Sequence, residues 1–276
     1  MLVEAISLPT LERARQHLTE CYLCEHRCGV NRANGEQGPC KAGVTANVFR
    51  HRVECGEESE LIPSHLFYLS GCDLRCKFCI AEENAFNPRL GTELTANFFR
   101  EALDWGRTRH AINVQWVGGE PTIHLPAILN VMAAVDELPS IVWKSDFYGT
   151  PESLDLLTGV VDIYVADFKF GNNDCAERLA SVPRYVEVIT RNLLHASMQA
   201  DLIVRHLLLP GHFDCCFRPI IDWMARRLPL AKFSLRDGYR PRWLATRDSE
   251  LSRSLTAAEI GRAERLARDA GINLIH

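Results

Sequence analysis

The chain has 276 residues, of which 47% are hydrophobic and 24% are charged, a composition that predicts a globular protein with one sizeable core. Its 31 Lys and Arg residues against 35 Asp and Glu residues give a net charge of -4. No long basic run provides the phosphate-neutralising surface of a nucleic-acid binder. We therefore expect no nucleic acid among its partners.

The N-terminal stretch MLVEAISLPTLERARQHL contains scattered charges and lacks the apolar core of a signal peptide. Nowhere does the chain contain a run of about 18 apolar residues, so no membrane span is expected. We predict a cytoplasmic protein. In that compartment its 11 cysteines are better explained as metal ligands or buried thiols than as disulfides.

The N-terminal segment, residues 1–60, is predicted to contain an N-terminal helix and a metal-binding part, with four cysteines in the glycine-rich loop CYLCEHRCGVNRANGEQGPC. The glycines let the last thiol fold back on the other three. Four thiolates that begin with C-x-x-C are typical of structural zinc or of a 4Fe-4S cluster, and spacing does not separate the two metals. The imidazole of His26 could replace one of the thiolate ligands, although a solvated loop histidine is the favoured interpretation. The predicted ligands are Cys21, Cys24, Cys28 and Cys40.

Residues 61–276 alternate between apolar runs and helical patterns. The runs are rich in β-branched and aromatic residues and predict strands, while apolar periodicity and caps predict helices between them. Repeated strand-helix units predict an α/β fold with a parallel sheet, here a partial (β/α)6 barrel whose sites lie at the C-terminal strand ends. The predicted strands are 65–71, 112–118, 140–146, 160–168, 202–209 and 231–235. The predicted helices are 93–109, 124–138, 151–159, 190–200, 215–228 and 255–271.

Three cysteines, Cys72, Cys76 and Cys79, directly follow the first predicted strand of the barrel in the sequence CDLRCKFC. All three thiols therefore lie on the loop that leaves the C-terminal end of this strand. Three thiolates can hold three irons of a 4Fe-4S cube and leave the fourth iron free to chelate a small molecule. The absence of a fourth thiol from this motif would then be the point of the site.

The spacing Cys72-x-x-x-Cys76-x-x-Cys79 resembles the signature of the radical S-adenosylmethionine (SAM) enzymes. The resemblance implies that the open iron binds the amino and carboxylate groups of SAM, and that one electron cleaves the sulfonium to give a 5'-deoxyadenosyl radical. It implies that Phe78 lies beside the adenine. It also implies a low-potential electron donor such as flavodoxin or ferredoxin.

Further motifs lie at the ends of later strands. WVGGEP (116–121) resembles the GGEP motif of this family, where close backbone approach and free carbonyls suit the SAM ammonium group. ADFKFGNND (166–174) and VRHLLLPGH (204–212) resemble segments of pyruvate formate-lyase activating enzyme and its relatives, with a solvated ion pair and a satisfied strand histidine as the alternatives. RDGYRP (236–241) resembles a structural segment of the same relatives. The residues predicted from these motifs to bind the cofactor are Gly118, Gly119, Glu120, Asp167, Lys169 and His206.

Nearly the full length resembles a family of uncharacterised proteins that are similar to pyruvate formate-lyase activating enzyme. The shared features are the N-terminal cysteine pattern and a Gly-Glu-Glu segment at 56–58. The chain departs from these relatives at 80–81, where Ile-Ala replaces Gln-Asn, and at 144–146, where Lys-Ser-Asp stands at a strand end that often carries Asn. Both departures flank the barrel mouth, so the substrate stays open.

The resemblance predicts a radical SAM enzyme, an oxidoreductase or a lyase, that abstracts hydrogen from a bound substrate. One hypothesis is an activase of a glycyl-radical enzyme, which would dock a large protein at the barrel mouth. The alternative is an enzyme that modifies a peptide or a small molecule without a glycyl radical, and a distant alternative is a non-catalytic iron-sulfur electron carrier. The sequence assigns no catalytic residue. The candidate docking face, or else a solvated basic surface, comprises Arg226, Arg227, Arg236, Arg240, Arg242 and Arg247.

Four further cysteines, Cys55, Cys175, Cys215 and Cys216, stand apart from both groups. No ligand spacing links them along the sequence. We expect them to be small buried hydrophobic side chains and assign them no function.

Overall fold

The computed structural model describes residues 6–56 and 58–275, which build one nine-stranded sheet with helices outside it. The order across the sheet is β3-β1-β2-β4-β5-β6-β7-β8-β9. Strand β1 pairs antiparallel with β2 and β3, and every other neighbouring pair is parallel. The strands are β1 (Asn47–Glu54), β2 (Ser64–Leu69), β3 (Thr92–Glu93), β4 (Asn113–Gly118), β5 (Ser140–Ser145), β6 (Ile163–Asp167), β7 (Asp201–Leu207), β8 (Lys232–Arg236) and β9 (Asn273–Ile275).

The helices begin at polar caps and bury one apolar face. Thr95 accepts a hydrogen bond from the Phe98 amide at the start of α3, and Thr256 with Glu259 forms a capping box at the start of α9. No helix within the described residues is long and apolar enough to cross a bilayer. The helices are α1 (Leu8–Gln16), α2 (Glu82–Ala85), α3 (Ala96–Arg107), α4 (Leu125–Met132), α5 (Pro151–Asp155), α6 (Asn173–Ala180), α7 (Tyr185–Ala196), α8 (Arg218–Arg227) and α9 (Ala257–Asp269).

The predicted partial barrel is confirmed. The six predicted strands correspond to β2 and β4 to β8, and the structure adds β9 as a further parallel strand. The sheet stays open, because β3 and β9 are its two edges. Aromatic side chains such as Phe67, Trp116 and Trp143 on central strands are fully buried, as expected where helices cover a parallel sheet.

The N-terminal segment lies against the end of the sheet where the parallel strands finish. Its strand β1 pairs with β2 over six positions, and a bridge joins Cys24 to Gly149, just beyond β5. The amide of Glu25 donates to the Tyr148 carbonyl at 3.0 Å. The cysteine loop of this segment is therefore held beside the C-terminal ends of β2 and β5. Glu57 of the Gly-Glu-Glu segment lies outside the described residues.

Candidate active site

The 72–79 loop leaves the C-terminal end of β2 and is held by α6. Gly71 precedes the loop with a positive φ of 94°, a conformation that glycine adopts without a Cβ penalty. The amides of Arg75 and Lys77 donate to the last carbonyls of α6, those of Ala180 and Leu179, at 3.0 and 2.8 Å. These bonds satisfy carbonyls that a helix end leaves free and fix the loop.

The predicted site residues meet around an inner cavity of about 210 Å³. The three cysteines of the 72–79 loop line one side of it, and the ends of β4, β5 and β6 line the other. His206 lies outside this lining; its buried ring contacts the Phe168 carbonyl through Nδ1 at 2.7 Å, and its neighbour Leu207 lines the cavity instead. The predicted residues that line the cavity are Cys72, Cys76, Phe78, Cys79, Gly118, Gly119, Glu120, Asp167 and Lys169.

Gly118 and Gly119 bring the end of β4 against the start of the cysteine loop. A Cβ added at Gly119 would lie 1.7 Å from the Gly71 carbonyl oxygen, and one added at Gly118 would lie 2.1 Å from the Leu69 nitrogen. The Gly119 amide donates to the Leu69 carbonyl at 2.7 Å. Only glycine permits this approach, which sets the position of the loop relative to β4.

The Glu120 carboxylate ties β4 to the end of β5. It accepts hydrogen bonds from the Thr122 amide at 2.9 Å, the Ser145 hydroxyl at 2.7 Å and the Asp146 amide at 2.8 Å. Burial and then the neighbouring Asp146 raise the pKa of Glu120 to about 8. This residue therefore orders the strand ends that form the cavity wall.

Two buried carboxyl groups that were not among the predicted site residues face the first cysteine. The Asp73 and Asp146 carboxylates each have an oxygen 3.9 Å from the Cys72 sulfur. Burial and Glu120 raise the pKa of Asp73 to about 7, and burial followed by Asp73 raises the pKa of Asp146 well above its usual range. Their only sequence signal was position: Asp73 comes immediately after Cys72, and Asp146 is the last residue of the third predicted strand, in the 144–146 segment where the chain departs from its relatives.

The charge and chemistry of this pocket fit a cationic iron centre. Burial, and then Asp146 and Asp73, raise the pKa of the Cys72 thiol well above its ordinary value, so a positive metal is needed to favour the thiolate. One buried oxygen of Asp73, Oδ2, has no hydrogen-bond partner among the described residues. A thiol-lined, acidic pocket of this kind favours bound positive charge.

Asp167 and Lys169 form a charged pair at the end of β6. Lys169 Nζ lies 2.5 Å from Asp167 Oδ2, and both side chains are largely buried. Burial pushes the pKa of Asp167 upward, but Lys169 and Arg205 outweigh it and hold this pKa below its usual range. The Tyr185 hydroxyl donates to the Asp167 carbonyl and accepts from the Lys169 amide. The pair is thus a fixed part of the cavity wall rather than the solvated surface pair of the alternative interpretation.

A second, outer cavity of about 540 Å³ opens beyond the first. The two cavities share Phe78, Ile80, Asp167, Lys169 and Leu207 in their linings. The outer cavity is therefore reached from the inner one between the cysteine loop and the ends of β6 and β7.

The six arginines proposed as a docking face do not share one surface. Arg236 and Arg240 line the outer cavity, but Arg227 lies beside Asp201 and Lys232, the first residues of β7 and β8. The last turn of α8, which carries Arg226 and Arg227, returns the chain to the N-terminal strand ends. The single face at the mouth was therefore a wrong prediction. The helix of a strand-helix unit runs back from the mouth, so the last turn of α8 lies at the opposite end of the barrel.

The four N-terminal cysteines gather next to the 72–79 loop. Cys21, Cys24 and Cys40 are buried, and Cys28 is half-buried. Burial raises the pKa of Cys24 well above its ordinary value, and Asp73, Cys40 and Cys21 add to this shift. The N-terminal thiols thus lie close to the carboxylate that faces Cys72.

Two contacts of this N-terminal loop were not foreseen. His26 is half-buried, with Nε2 2.9 Å from the Asp73 carbonyl oxygen, and is not the solvated side chain expected from the sequence. Buried Arg32 donates from Nη2 to the Cys21 sulfur at 2.9 Å and from Nη1 to the Ile123 carbonyl at 2.6 Å. A guanidinium at this place offsets the negative charge of thiolate ligands.

A radical SAM superfamily model matches residues 66–224, more than half of the chain. The chain therefore belongs to the radical SAM superfamily, whose members are enzymes that use a 4Fe-4S cluster and SAM. An uncharacterized protein of Methanocaldococcus jannaschii, MJ0674, is 37% identical over 279 residues, which cover 96% of this chain and 79% of that protein.

Two solved structures share the fold at low identity. Streptococcus suis SuiB bound to the precursor peptide SuiA has a TM-score of 0.55 and 16% identity, covering 74% of this chain and 46% of SuiB. TYW1 with a lysine-pyruvate adduct bound has a TM-score of 0.52 and 11% identity, covering 93% of this chain and 80% of TYW1. This chain spans less than half of the length of SuiB, and the likeness at these identities concerns the fold.

Proposed function

We propose that this protein reductively cleaves SAM at a 4Fe-4S cluster held by Cys72, Cys76 and Cys79, and that it abstracts hydrogen from a bound protein, peptide or small-molecule substrate. The observation that carries the proposal is the convergence of these thiols, the GGEP glycines and a buried ion pair on one cavity. When bound, the cluster and SAM supply the radical that removes hydrogen.

The wall of the inner cavity offers complementary groups for SAM. The Lys169 ammonium and the Asp167 carboxylate stand side by side in the wall, which provides a cation and an anion for the polar groups of SAM that the iron leaves free. Phe78 is shared by both cavities, and its ring provides an apolar surface for adenine. Leu74, Ala85 and Val117 add apolar surface to the lining, which would help to keep water from a reactive intermediate.

The outer cavity is the proposed substrate site. Ile80 on its rim is 82% exposed. The cations of the lining outnumber its carboxylates: Lys169, Arg205, Arg236 and Arg240 against Asp167 and Asp237. An apolar side chain beside several cations suits a peptide segment or a small molecule that carries negative charge. SuiB, which has a similar fold, is solved with a precursor peptide bound, and this supports a peptide as one class of ligand.

Activation of a glycyl-radical enzyme is one finer assignment, and its support is the motif resemblance at 166–174 and 204–212. Modification of a peptide or small molecule without a glycyl radical is the alternative. Either reaction requires a low-potential donor such as flavodoxin or ferredoxin, and we propose a cytoplasmic location.

We also propose a metal centre, zinc or a second 4Fe-4S cluster, at Cys21, Cys24, Cys28 and Cys40. The support is that Arg32 contacts two of the four sulfurs, that of Cys21 at 2.9 Å and that of Cys40 at 3.9 Å, and that Cys24 lies near both of these thiols. A cluster at this place would lie close enough to the 72–79 loop for electron transfer or substrate ligation, whereas zinc would be structural.

The test is SAM cleavage by the reconstituted protein. The full chain is loaded with iron and sulfide without oxygen, mixed with SAM and dithionite, and followed by chromatography for 5'-deoxyadenosine. We expect product from the wild type and none from Cys76→Ala. A fully loaded protein that neither binds nor cleaves SAM would contradict the proposal and favour an electron carrier.

A further inference from the structure

Three of the cysteines that show no ligand spacing along the sequence converge with a histidine on the outside of the sheet. Cys175 lies in the first turn of α6, and His212, Cys215 and Cys216 lie where β7 leads into α8. The four ligand atoms are all within 4.8 Å of one another. The expectation that Cys175, Cys215 and Cys216 are unrelated side chains is therefore wrong. The expectation of burial is also wrong for Cys55 and Cys215, which are exposed.

From this cluster we infer a second kind of metal site, a structural Zn²⁺ bound by Cys175, Cys215, Cys216 and His212 Nδ1. It is separate from the cavity and from the N-terminal cysteines. Three thiolates and one imidazole form a closed tetrahedral set, the ligand composition of many structural zinc sites.

The separations fit one ion. Zinc bonds of about 2.3 Å to sulfur and about 2.0 Å to nitrogen in a tetrahedron place the sulfurs about 3.8 Å apart and each about 3.5 Å from the nitrogen. The Cys215 sulfur is 3.9 Å from that of Cys175 and 4.0 Å from that of Cys216. His212 Nδ1 is 3.5, 3.3 and 3.8 Å from the sulfurs of Cys175, Cys215 and Cys216. A cubane cluster would hold the sulfurs farther apart, because each would bind a different iron.

The backbone presents the ligands together. A widened helical turn at 213–217, in which the Phe217 amide reaches the His212 carbonyl at 3.1 Å, allows two adjacent cysteines to face the same point. Gly171 lies against the Cys216 backbone, where a Cβ would be 2.2 Å from its carbonyl oxygen. The loop that follows β6 is thereby packed directly onto this turn.

The groups around the cluster are those that orient zinc ligands. His212 Nε2, the nitrogen that does not face the thiols, lies 3.4 Å from the Glu250 carboxylate, as in carboxylate-histidine-zinc arrangements. Asn172 Nδ2 is 3.3 Å from the Cys175 sulfur and 3.7 Å from that of Cys216. Arg178 pairs with Glu250 at 3.2 Å and brings positive charge toward three thiolates. Asn172 and Arg178 belong to α6 and its N-cap, whereas Glu250 comes from a distant loop, so this arrangement is not a by-product of one helix.

The site has a structural consequence for the cavity. Zinc would fasten the start of α6 to the β7-α8 junction. The end of the same helix accepts the hydrogen bonds from Arg75 and Lys77 of the cysteine loop. We therefore expect removal of zinc to lower the thermal midpoint and to loosen this loop.

The first test is residue-specific alkylation of the full chain, purified without oxygen. The protein is treated with iodoacetamide with and without prior removal of zinc by a chelator, and each cysteine is read by peptide mass spectrometry. We expect Cys175, Cys215 and Cys216 to be protected by zinc and modified after its removal, while exposed Cys55 reacts in both. The site would be overturned by equal reactivity of Cys215 in the two samples or by a disulfide between Cys175 and Cys215. It would also be overturned if protection of these cysteines correlated with the iron content of the protein rather than with its zinc content.

The second test avoids loss of a ligand. In Glu250→Gln we expect zinc affinity at this site to fall by about 10–100-fold, measured by competition with a chromophoric chelator. Glu177→Gln, an exposed position on α6, is the matched control and should leave the affinity unchanged. Equal affinities of the two variants would contradict the assigned role of Glu250 and of His212 as its partner.

Discussion

Cys72, Cys76 and Cys79 act as a set, because a cubane cluster with one thiolate missing loses its protein anchor at that iron. We expect Ala at any one of them to remove about four irons per chain and to abolish 5'-deoxyadenosine formation. Iron analysis and chromatography measure both. Cys55→Ala removes an exposed thiol outside the cavity lining and should change neither. Retention of the cluster in two of the three variants would point to other ligands.

His65 is a buried base at the start of β2 and should make the fold sensitive to acid. Burial, and then the neighbouring His51, lower the pKa of His65 to about 4, whereas the unfolded chain has a value of about 6.5. Well above pH 6.5 neither state is protonated at this residue, so His65 has no effect on stability there. As the pH falls from 6.5 toward 4 the unfolded state takes up the proton first, and the native state loses stability, by about 2 kcal/mol at pH 5.

The variant His65→Gln retains a hydrogen-bonding group for His51, 3.1 Å away, but cannot be protonated. We expect its free energy of unfolding to fall less between pH 7 and pH 5 than that of the wild type, as measured in urea. His110→Gln, at an exposed position, should follow the wild-type slope. Parallel pH profiles for all three proteins would show that His65 titrates normally.

At the scale of elements, the end of β4 packs closely against the loop after β2 because Gly119 has no side chain. Gly119→Ala would force a Cβ against the Gly71 carbonyl, and we expect a loss of about 1–3 kcal/mol in the free energy of unfolding. Gly43→Ala is the control, since a Cβ there meets nothing within 4 Å. If the two variants had the same urea midpoint, β4 would be able to move away from the Gly71 carbonyl without a loss of stability.

Local patterns predicted the long elements and missed the short or dependent ones. Strands β2 and β4 to β8 were recognised from continuous apolar runs, because a strand covered on both faces must be apolar throughout. The two-residue β3 exists only through pairing with β1. Helix α6 has eight residues, too few for a clear helical period. Such elements depend on neighbours that the local sequence does not contain.

At the scale of the whole molecule, Glu58 joins the N-terminal segment to the far side of the barrel. This fully buried carboxylate accepts from the Ser234 hydroxyl at 2.9 Å and lies 3.7 Å from Arg205. We expect Glu58→Gln to lower the free energy of unfolding by about 1–3 kcal/mol, because it removes a charged acceptor beside a guanidinium. Calorimetry or urea unfolding measures the change.

The matched control is Glu60→Gln, two residues further on. Glu60 pairs with Lys232 at the surface, where both side chains are more than one-third exposed, so we expect a change within about 1 kcal/mol. An equal loss of unfolding free energy in both variants would show that the buried Glu58 contributes no more to stability than the exposed Glu60. The division of the chain at residue 60 stays a prediction, although β1 already pairs with the main sheet.

The sequence by itself determined the fold class, the order of the main elements and the candidate cluster loop. These follow from local information: apolar periodicity reports burial, and three ligands within eight residues lie together in any compact loop. Tertiary structure alone decided that Asp146 faces Cys72, that Arg32 lies among thiols and that Cys175 meets His212, 37 residues away. Such contacts depend on which strands lie side by side and at which end each loop emerges, and no short sequence window contains that information.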